Sequence, residues 1–167
     1  YFLLLSGILF FVLLVIPIFL KCKDWAEMLS LKRLKKINPK IYQEISTLWE
    51  KTGINKPERK DSFESIQENL QQTGILIIAE ENDKIIGVVW VTNDFRRLYI
   101  HHMAVVPDKQ NQGIGTKLME ECISLANEYG YQLKLEVNID NPAAWHLYEK
   151  FGFKELSGYR ILIKRDI

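Results

Sequence analysis

The sequence predicts one α/β domain over residues 29–167, in which a mixed sheet carries helices on its faces, preceded by an apolar segment. Three observations predict this organisation. Residues 1–20 contain no charged side chain. Beyond them, apolar residues at helical spacing alternate with short strand-like runs. One strand-like run enters a turn with two glycines and continues into a helix, a pattern typical of an anion site.

The apolar segment reads YFLLLSGILFFVLLVIPIFL over residues 1–20. A helix needs about 20 apolar residues to cross a bilayer, which this segment supplies. A signal peptide has a shorter apolar core of about 7–15 residues and a small-residue cleavage site, and no such site precedes Lys21. A buried soluble helix is a third interpretation, but the segment has no polar face. We expect a transmembrane anchor over residues 1–21 and a juxtamembrane linker over residues 22–28.

Basic side chains follow the apolar segment, and none precedes it; they are Lys21, Lys23, Lys32, Arg33, Lys35 and Lys36. By the positive-inside tendency, this asymmetry predicts a single-pass membrane protein whose folded domain faces the cytoplasm. The chain begins with Tyr1 rather than Met, and residues upstream of it would bear on this orientation.

The charge balance argues against a nucleic-acid partner. The chain carries 22 basic and 21 acidic side chains, for a formal net charge of +1, whereas nucleic-acid binding normally requires a basic surface. Two cysteines, Cys22 and Cys122, give no disulfide framework, and with three histidines they give no metal-ligand spacing. We expect a reducing compartment and no metal.

The first half of the domain is predicted to contain one strand and two helices. Weak alternation of apolar residues predicts a strand over Leu29–Leu34. Pro39 opens an amphipathic helix. Either Asp61 or Ser62 caps a second helix, which ends at Gly74.

The second half is predicted to be richer in strands. The predicted elements are an antiparallel hairpin of residues 75–81 and 85–92, a strand over 96–106, a helix over 114–129, a strand over 133–137, a helix over 142–151 and a closing strand over 159–164. The strand over 133–137 alternates between two faces, with Leu133, Leu135 and Val137 on one and Lys134 and Glu136 on the other.

The turn with two glycines reads Gln110-x-x-Gly113-x-Gly115. It is not a P-loop, because Thr116 stands where that motif needs lysine. It is not the dinucleotide fingerprint, because Leu118 stands where the third glycine belongs. A turn of this kind that opens a helix suits a pyrophosphate held by backbone N–H groups. A tight strand–helix connection without a ligand explains the two glycines equally well.

This turn, preceded by MAVVP, resembles the acetyl-CoA motif of the GNAT N-acetyltransferase superfamily. The family's next block follows at the expected distance as LEVNIDNPAAWHLYEKFGF, and the pattern is close to the ribosomal-protein alanine N-acetyltransferases. The resemblance covers about residues 29–167 and implies a mostly antiparallel central sheet with helices on both faces. Residues 1–23 lie outside the family pattern. Asn111 and Gln112 depart from the family's usual basic or glycine residues, which leaves the backbone cradle intact.

The resemblance implies acetyl-CoA as co-substrate and a primary amine as acceptor. The residues it implies around acetyl-CoA are Met103, Ala104, Val105, Gln110, Asn111, Gln112, Gly113, Ile114, Gly115, Thr116 and Asn141. A backbone N–H of residues 103–105 is expected to donate to the oxyanion that develops when the amine attacks the acetyl carbon.

The same resemblance assigns two catalytic residues, Glu136 as general base and Tyr148 as general acid. A base helps because the attacking amine must be neutral, whereas its pKa is about 8 for an α-amino group and about 10.4 for lysine. A phenol, with a pKa of about 10, can protonate a thiolate whose thiol has a pKa of about 8.5. From the spacing of the residues alone, Glu136 is also compatible with an ordinary solvent-facing strand residue, and the spacing of Tyr148 favours a core aromatic.

Other candidates for the base are His101, His102 and a water molecule. The two histidines are predicted to point to opposite sides of their strand. Cys122 lies on the apolar face of its helix, which favours core packing over a covalent acetyl-cysteine.

The resemblance places the acceptor groove along residues 49–60 and around the turn of residues 93–97. Asp94 would attract a cationic acceptor and Arg96 or Arg97 an acidic one, so the acceptor stays open among small molecules, lysine side chains and protein N-termini. A homodimer is left open as well. The alternative function is a non-catalytic acyl-CoA-binding sensor or localisation module on the same fold.

Overall fold

A computed structural model of the chain describes residues 29–165. The predicted transmembrane anchor and its linker, residues 1–28, lie outside the described residues, so this division of the chain stays a prediction. Between residues 29 and 165, no helix is long and apolar enough to cross a membrane.

In the part of the chain that the structure describes, five strands form one sheet, in which neighbours in the chain are neighbours in space. They are β1 (Leu29–Leu34), β2 (Ile75–Glu81), β3 (Lys84–Asn93), β4 (Arg97–Val105) and β5 (Gln132–Leu135). The first four strands are antiparallel to one another, and β5 runs parallel to β4. The predicted mixed, mostly antiparallel sheet is therefore confirmed.

Among the described residues, three α-helices lie between strands and a fourth follows β5. They are α1 (Pro39–Lys51), α2 (Phe63–Gln72), α3 (Ile114–Tyr129) and α4 (Pro142–Lys150). Three of them begin at a polar side chain that accepts a hydrogen bond from a backbone N–H of the first turn. These N-caps are Asn38 for α1, Ser62 for α2 and Asn141 for α4. Ser62 rather than Asp61 therefore caps the second predicted helix.

The helices cover both faces of the sheet, because alternating side chains give each face its own apolar set. On one face, α1 and α2 pack against strand residues that include Leu76, Ile78 and Val88. On the other face, α3 and Tyr148 of α4 pack against residues that include Ile77. Full burial of one such aliphatic side chain contributes about 1.5–3 kcal/mol, so the two layers together hold the sheet and its loops in place.

Gly87 brings the start of α3 into direct contact with β3. A Cβ atom at Gly87 would lie 2.9 Å from Ile114 Cγ2 and 3.1 Å from Leu118 Cδ1. The missing side chain therefore lets the first turn of α3 rest on the sheet, which fixes the position of the turn that precedes the helix.

The closing strand predicted over residues 159–164 is wrong. In the described structure this segment pairs with no strand, and Tyr159, Ile161 and Ile163 are exposed. Alternating apolar residues suggest a strand, but a strand forms only where a partner edge accepts its backbone hydrogen bonds and a layer covers its apolar face. The fifth strand is also shorter than predicted, since β5 ends at Leu135.

Candidate active site

The turn between β4 and α3 presents free backbone donors. Gly113, with φ of +84°, is the N-cap residue of α3, and within the described chain no side chain caps this helix. The first intrahelical bond runs from Lys117 N to Gly113 O at 3.0 Å, so the three N–H groups that precede it have no helical partner. With no acidic residue in the first turn, this helix start fits an anionic ligand.

Side chains of the turn hold its shape. Gln110 Nε2 donates to the Val105 carbonyl at 3.1 Å, and Gln112 Nε2 donates to the Asp108 carbonyl at 3.1 Å. Asn111 takes a positive φ of 59°. Three of the residues predicted to contact acetyl-CoA thus shape the turn of residues 110–116, which we call the anion cradle. Its backbone N–H groups remain as the main hydrogen-bond donors to a ligand.

The edge of β4 opens beside this turn. Parallel pairing joins β4 to β5 only from Arg97 to Ile100, whereas the pairing with β3 continues to Val105. Beyond Ile100, the β5 side of β4 therefore has no strand partner among residues 29–165. The residues predicted to hold the acetyl group, Met103–Val105, lie on this open edge, where backbone groups can bind an extended ligand.

A β-bulge in β4 places both histidines on one face. Val89 pairs with Met103 and Val91 with Ile100, so His101 and His102 together oppose a single residue of β3, Trp90. The extra residue resets the alternation of the strand. Both imidazoles lie near the Trp90 ring, at centroid distances of 4.9 and 5.8 Å, on the face covered by α1 and α2. The prediction that they point to opposite sides is wrong for this reason.

His102 is buried, with 5% of its surface exposed. Its Nε2 lies 2.7 Å from Asp61 Oδ2, and its ring centroid lies 5.0 Å from that of Trp49. Its burial makes it a poor candidate for direct contact with an acceptor amine. Trp49 is itself only 1% exposed, so it belongs to the core rather than to the lining of the predicted acceptor groove.

His101 lies beside His102 but is exposed to solvent. Its Nε2 lies 2.7 Å from Thr92 Oγ1, and its ring lies 4.6 Å from that of Tyr99, centroid to centroid. Desolvation by the surrounding protein, and secondly the neighbouring His102, lower the pKa of His101 to about 4. The ring is therefore neutral at neutral pH.

This lowered pKa predicts a pH-dependent stability. Between about pH 6.5 and pH 4, the unfolded chain binds a proton at His101 that the folded chain does not, so the stability falls as the pH falls. In urea unfolding, His101→Gln should lose less stability than wild type between pH 7 and pH 4. Parallel losses in the two proteins would show that His101 does not contribute.

Glu136 lies one residue beyond the end of β5, on the same face as His101. The register pairs Tyr99 with Lys134, whose Nζ lies 5.3 Å from the centroid of the Tyr99 ring. Burial, and secondly the carboxylate of Glu136, raise the pKa of Tyr99. The exposed Glu136 is therefore a neighbour of the Tyr99 hydroxyl. Tyr99 cannot be identified as a site residue from the sequence, because only the pairing of β4 with β5 brings it to Glu136.

Tyr148 lies on the opposite face of the sheet, within the layer of α3 and α4. It is 8% exposed, and its ring lies 5.8 Å from that of Phe153. Burial raises the pKa of its phenol, which therefore keeps its proton at neutral pH. Glu136 and Tyr148 thus lie on opposite faces of the sheet rather than in contact, and their roles as base and acid stay predictions.

Two further predicted residues have structural partners. Asn141 Oδ1 accepts a hydrogen bond from Ala144 N at 3.1 Å as the cap of α4, which leaves its amide nitrogen for a ligand. Cys122 is fully buried, and burial raises the pKa of its thiol to about 12, so packing rather than nucleophilic chemistry accounts for it. Within residues 29–165, no group of three or more His, Cys, Asp or Glu side chains is placed to hold a metal ion.

The turn of residues 93–97 lies at the far end of β4 from Met103, next to the start of β5. Asp94 accepts hydrogen bonds from the backbone N–H groups of Arg96 and Arg97 at 2.9 and 2.6 Å. This carboxylate is thus used within the turn, and a contact of the turn with an acceptor stays a prediction.

The whole fold is similar to those of solved acetyltransferases. An aminoglycoside acetyltransferase from an uncultured soil metagenomic sample has a TM-score of 0.67 at 20% identity, covering 83% of this chain and 98% of that one. The ribosomal-protein-S18-alanine N-acetyltransferase of Escherichia coli has a TM-score of 0.66 at 23% identity, covering 78% and 80%. These likenesses define the class of fold, the GNAT-type α/β fold.

The chain belongs to the acetyltransferase (GNAT) family, whose sequence model matches residues 38–153. N-alpha-acetyltransferase 30 of Schizosaccharomyces pombe is 37% identical over 82 residues, which are 46% of this chain and 55% of that protein. The chain spans about half the length of the curated relatives it matches.

Proposed function

We propose that this protein is an N-acetyltransferase that moves the acetyl group of acetyl-CoA directly to a primary amine. The observation that carries the proposal is a juxtaposition at one gap in the sheet. The uncapped start of α3 and the open edge of β4 lie where acetyl-CoA would bind. The Tyr99–Glu136 pair lies on the other face of the sheet, from which the acceptor amine would approach. Membership of the acetyltransferase (GNAT) family supports the same reaction.

The residues present fit acetyl-CoA. The free N–H groups of Ile114, Gly115 and Thr116 would hold the pyrophosphate, and the open edge at Met103–Val105 would pair with the amide-bearing arm. Acetyl-CoA supplies the acetyl group as an activated thioester. The protein supplies position, donors and proton transfer.

The proposed step is an acyl transfer in which charges and atoms balance. The amine nitrogen forms a bond to the acetyl carbon while the carbon–sulfur bond breaks. The protonated amine first gives one proton to Glu136, directly or through water. After the neutral nitrogen has attacked, it gives up a second proton to water, and the departing sulfur takes one proton from Tyr148, which regains it from water. The neutral His101 and the Tyr99 hydroxyl line the route by which the amine arrives.

The acceptor that we propose is the α-amino group of a peptide or protein. One relative is named an N-alpha-acetyltransferase, and another, from Escherichia coli and 44% identical over 57 residues, is named for the alanine of a ribosomal protein. The pKa values favour the same acceptor. A protonated α-amine, with a pKa of about 8, loses its proton to a carboxylate more easily than a protonated lysine side chain, with a pKa of about 10.4. Lysine side chains and amino sugars are the competing acceptors in a test panel.

The anion cradle can be tested apart from catalysis. Gly113→Ala forces a side chain into the left-handed conformation, at a cost of about 1–2 kcal/mol, and should weaken acetyl-CoA binding about tenfold in titration calorimetry. Gly130→Ala is the matched control, because Gly130 has a φ of +69° at the opposite end of the same helix. Equal affinities in the two variants would contradict the assignment of the cradle.

We further propose that residues 1–20 anchor the protein in a membrane with the domain on the cytoplasmic side. The support is the uncharged length of this segment and the basic residues that follow it. After alkaline extraction of cells, the full chain should stay with the membrane fraction, and its release into the supernatant would contradict the anchor. A homodimer stays a prediction, which sedimentation of the detergent-solubilised chain tests.

A further inference from the structure

We propose that Asp61 and His102 form a positioning pair that docks the α1–α2 connection, residues 52–62, onto the bulge of β4 and thereby sets the wall of the acceptor groove that faces Tyr99 and His101. The inference rests on the proposed function, because it assigns that wall to acceptor binding. Neither residue needs to touch the reacting atoms.

The pair is buried and closely bonded. His102 Nε2 and Asp61 Oδ2 lie 2.7 Å apart, with side-chain exposures of 6% and 13%. The indole rings of Trp49 and Trp90 enclose the imidazole, at centroid distances of 5.0 and 5.8 Å. In such surroundings, removal of one partner leaves the other without a hydrogen-bond partner and without water, which is costly.

The other contacts of the connection are at its start and on its surface. Ile54 packs, half-buried, against the apolar layer of α1 and α2, and Arg165 Nη1 donates to the carbonyl of Glu58 at 3.0 Å. Residues 55–60 are all exposed, so they bury no apolar side chain beneath them. Tyr42 Oη donates to the backbone carbonyl of Asp61 at 3.1 Å, and Arg59 Nη1 donates to the carbonyl of Ile54 at 3.0 Å. The Asp61–His102 bond is therefore the buried polar contact that ties the end of this loop, beyond its exposed residues 55–60, to the sheet.

The docked connection borders the candidate active site. His102 lies next to His101 in the bulge, on the face that also carries Tyr99. The charges of Asp61 and Arg59 both act on His101, and that of Arg59 acts on Tyr99. If the connection leaves β4, this wall moves away from Tyr99 and His101, whereas the anion cradle at the start of α3 stays in place on the other face.

The pair also explains why the bulge matters. Without the extra residue in β4, His101 and His102 would point to opposite faces, and only one imidazole could reach the connection. Because of the bulge, His102 contacts the loop while His101 stays beside the acceptor groove. A local irregularity of β4 thus couples the acceptor wall to the sheet.

Steady-state kinetics of the full chain in detergent, with acetyl-CoA and an N-terminally free peptide, test the proposal. Asp61→Ala and His102→Leu should each raise the KM for the peptide about tenfold, with kcat and the affinity for acetyl-CoA nearly unchanged. His102→Gln keeps a side-chain N–H that can reach Asp61, and it should restore a KM close to that of wild type. Glu68→Ala, which removes an exposed carboxylate of α2 outside the connection, is the control.

An unchanged peptide KM in both disruptive variants would overturn the proposal. So would a parallel loss of kcat and acetyl-CoA affinity, which indicates general unfolding. Hydrogen–deuterium exchange gives a readout that needs no activity. Peptides from residues 54–62 should exchange faster in Asp61→Ala and His102→Leu while β2 and α3 stay protected, and unchanged exchange would contradict the docking. If wild type acetylates no amine at all, the proposed function fails, and the exchange experiment still decides the docking.

Discussion

Tyr148→Phe is expected to lower kcat roughly 100-fold while the affinity for acetyl-CoA stays close to that of wild type. The substitution removes only the hydroxyl, so the ring keeps its place beside Phe153 in the layer of α3 and α4. Burial raises the pKa of this phenol, which keeps the proton available for the departing thiolate. Rapid-quench kinetics and calorimetric titration with acetyl-CoA measure the two quantities separately.

The matched control is Tyr129→Phe, which removes a hydroxyl from a tyrosine that is 43% exposed on α3. We expect wild-type kinetics from it. If Tyr148→Phe turns over as fast as this control, Tyr148 is a core aromatic and the general acid lies elsewhere.

Glu136→Gln is expected to lower kcat/KM for a peptide acceptor roughly 100-fold at neutral pH. The deficit should shrink as the pH rises toward about 8, because more of the α-amine is then already neutral. The variant has a second readout, since the Glu136 carboxylate is one of the causes that raise the pKa of Tyr99. Ultraviolet titration of the tyrosines should show the pKa of Tyr99 moved toward its ordinary value.

Glu120→Gln, which alters an exposed carboxylate of α3, controls for a general change in charge. A Glu136→Gln enzyme with wild-type kcat/KM across this pH range would contradict the assignment of the base. If His101→Gln then lost activity instead, the base would be His101.

Elements set by local chemistry were predictable from the sequence. Pro39 after Asn38, and Pro142 after Asn141, mark helix starts that the structure places at those residues. The β2–β3 hairpin follows from two apolar runs around a short turn, in which Asn82 and Asp83 both adopt positive φ. Such features depend on a few adjacent residues, so a single sequence contains them.

Features that depend on a partner strand were not predictable. The run that contains His101 and His102 reads as a regular strand, and only the pairing with Trp90 reveals the extra residue. For residues 159–164 the sequence predicted a strand that does not form. Their apolar residues alternate as in a strand, but in the described structure they pair with no edge of the sheet. The alternation that indicates a strand is a local property of the sequence, whereas the register of a strand and the choice of its partner strand are not.

The same distinction applies to the candidate site: its local features were predictable from the sequence, and those that depend on strand pairing were not. The anion cradle lies in one continuous turn around Gly113, so its glycine pattern indicated it directly. Tyr99 was missed because its relation to Glu136 comes from the parallel register of β4 and β5. The Asp61–His102 bond joins residues 41 positions apart and depends on the bulge, which no spacing rule describes.

The central claim, acetyl transfer to a primary amine, is tested most directly by one assay of the full chain in detergent. The protein is incubated with acetyl-CoA and, in turn, an N-terminally free peptide, a lysine-containing peptide with a blocked N-terminus and an amino sugar. Free thiol and acetylated acceptor are then counted by thiol titration and mass spectrometry. We predict equal amounts of the two products, greatest with the free N-terminus and strongly reduced in Tyr148→Phe. Saturable binding of acetyl-CoA without thiol release for any amine would contradict the account and indicate a non-catalytic acyl-CoA-binding protein.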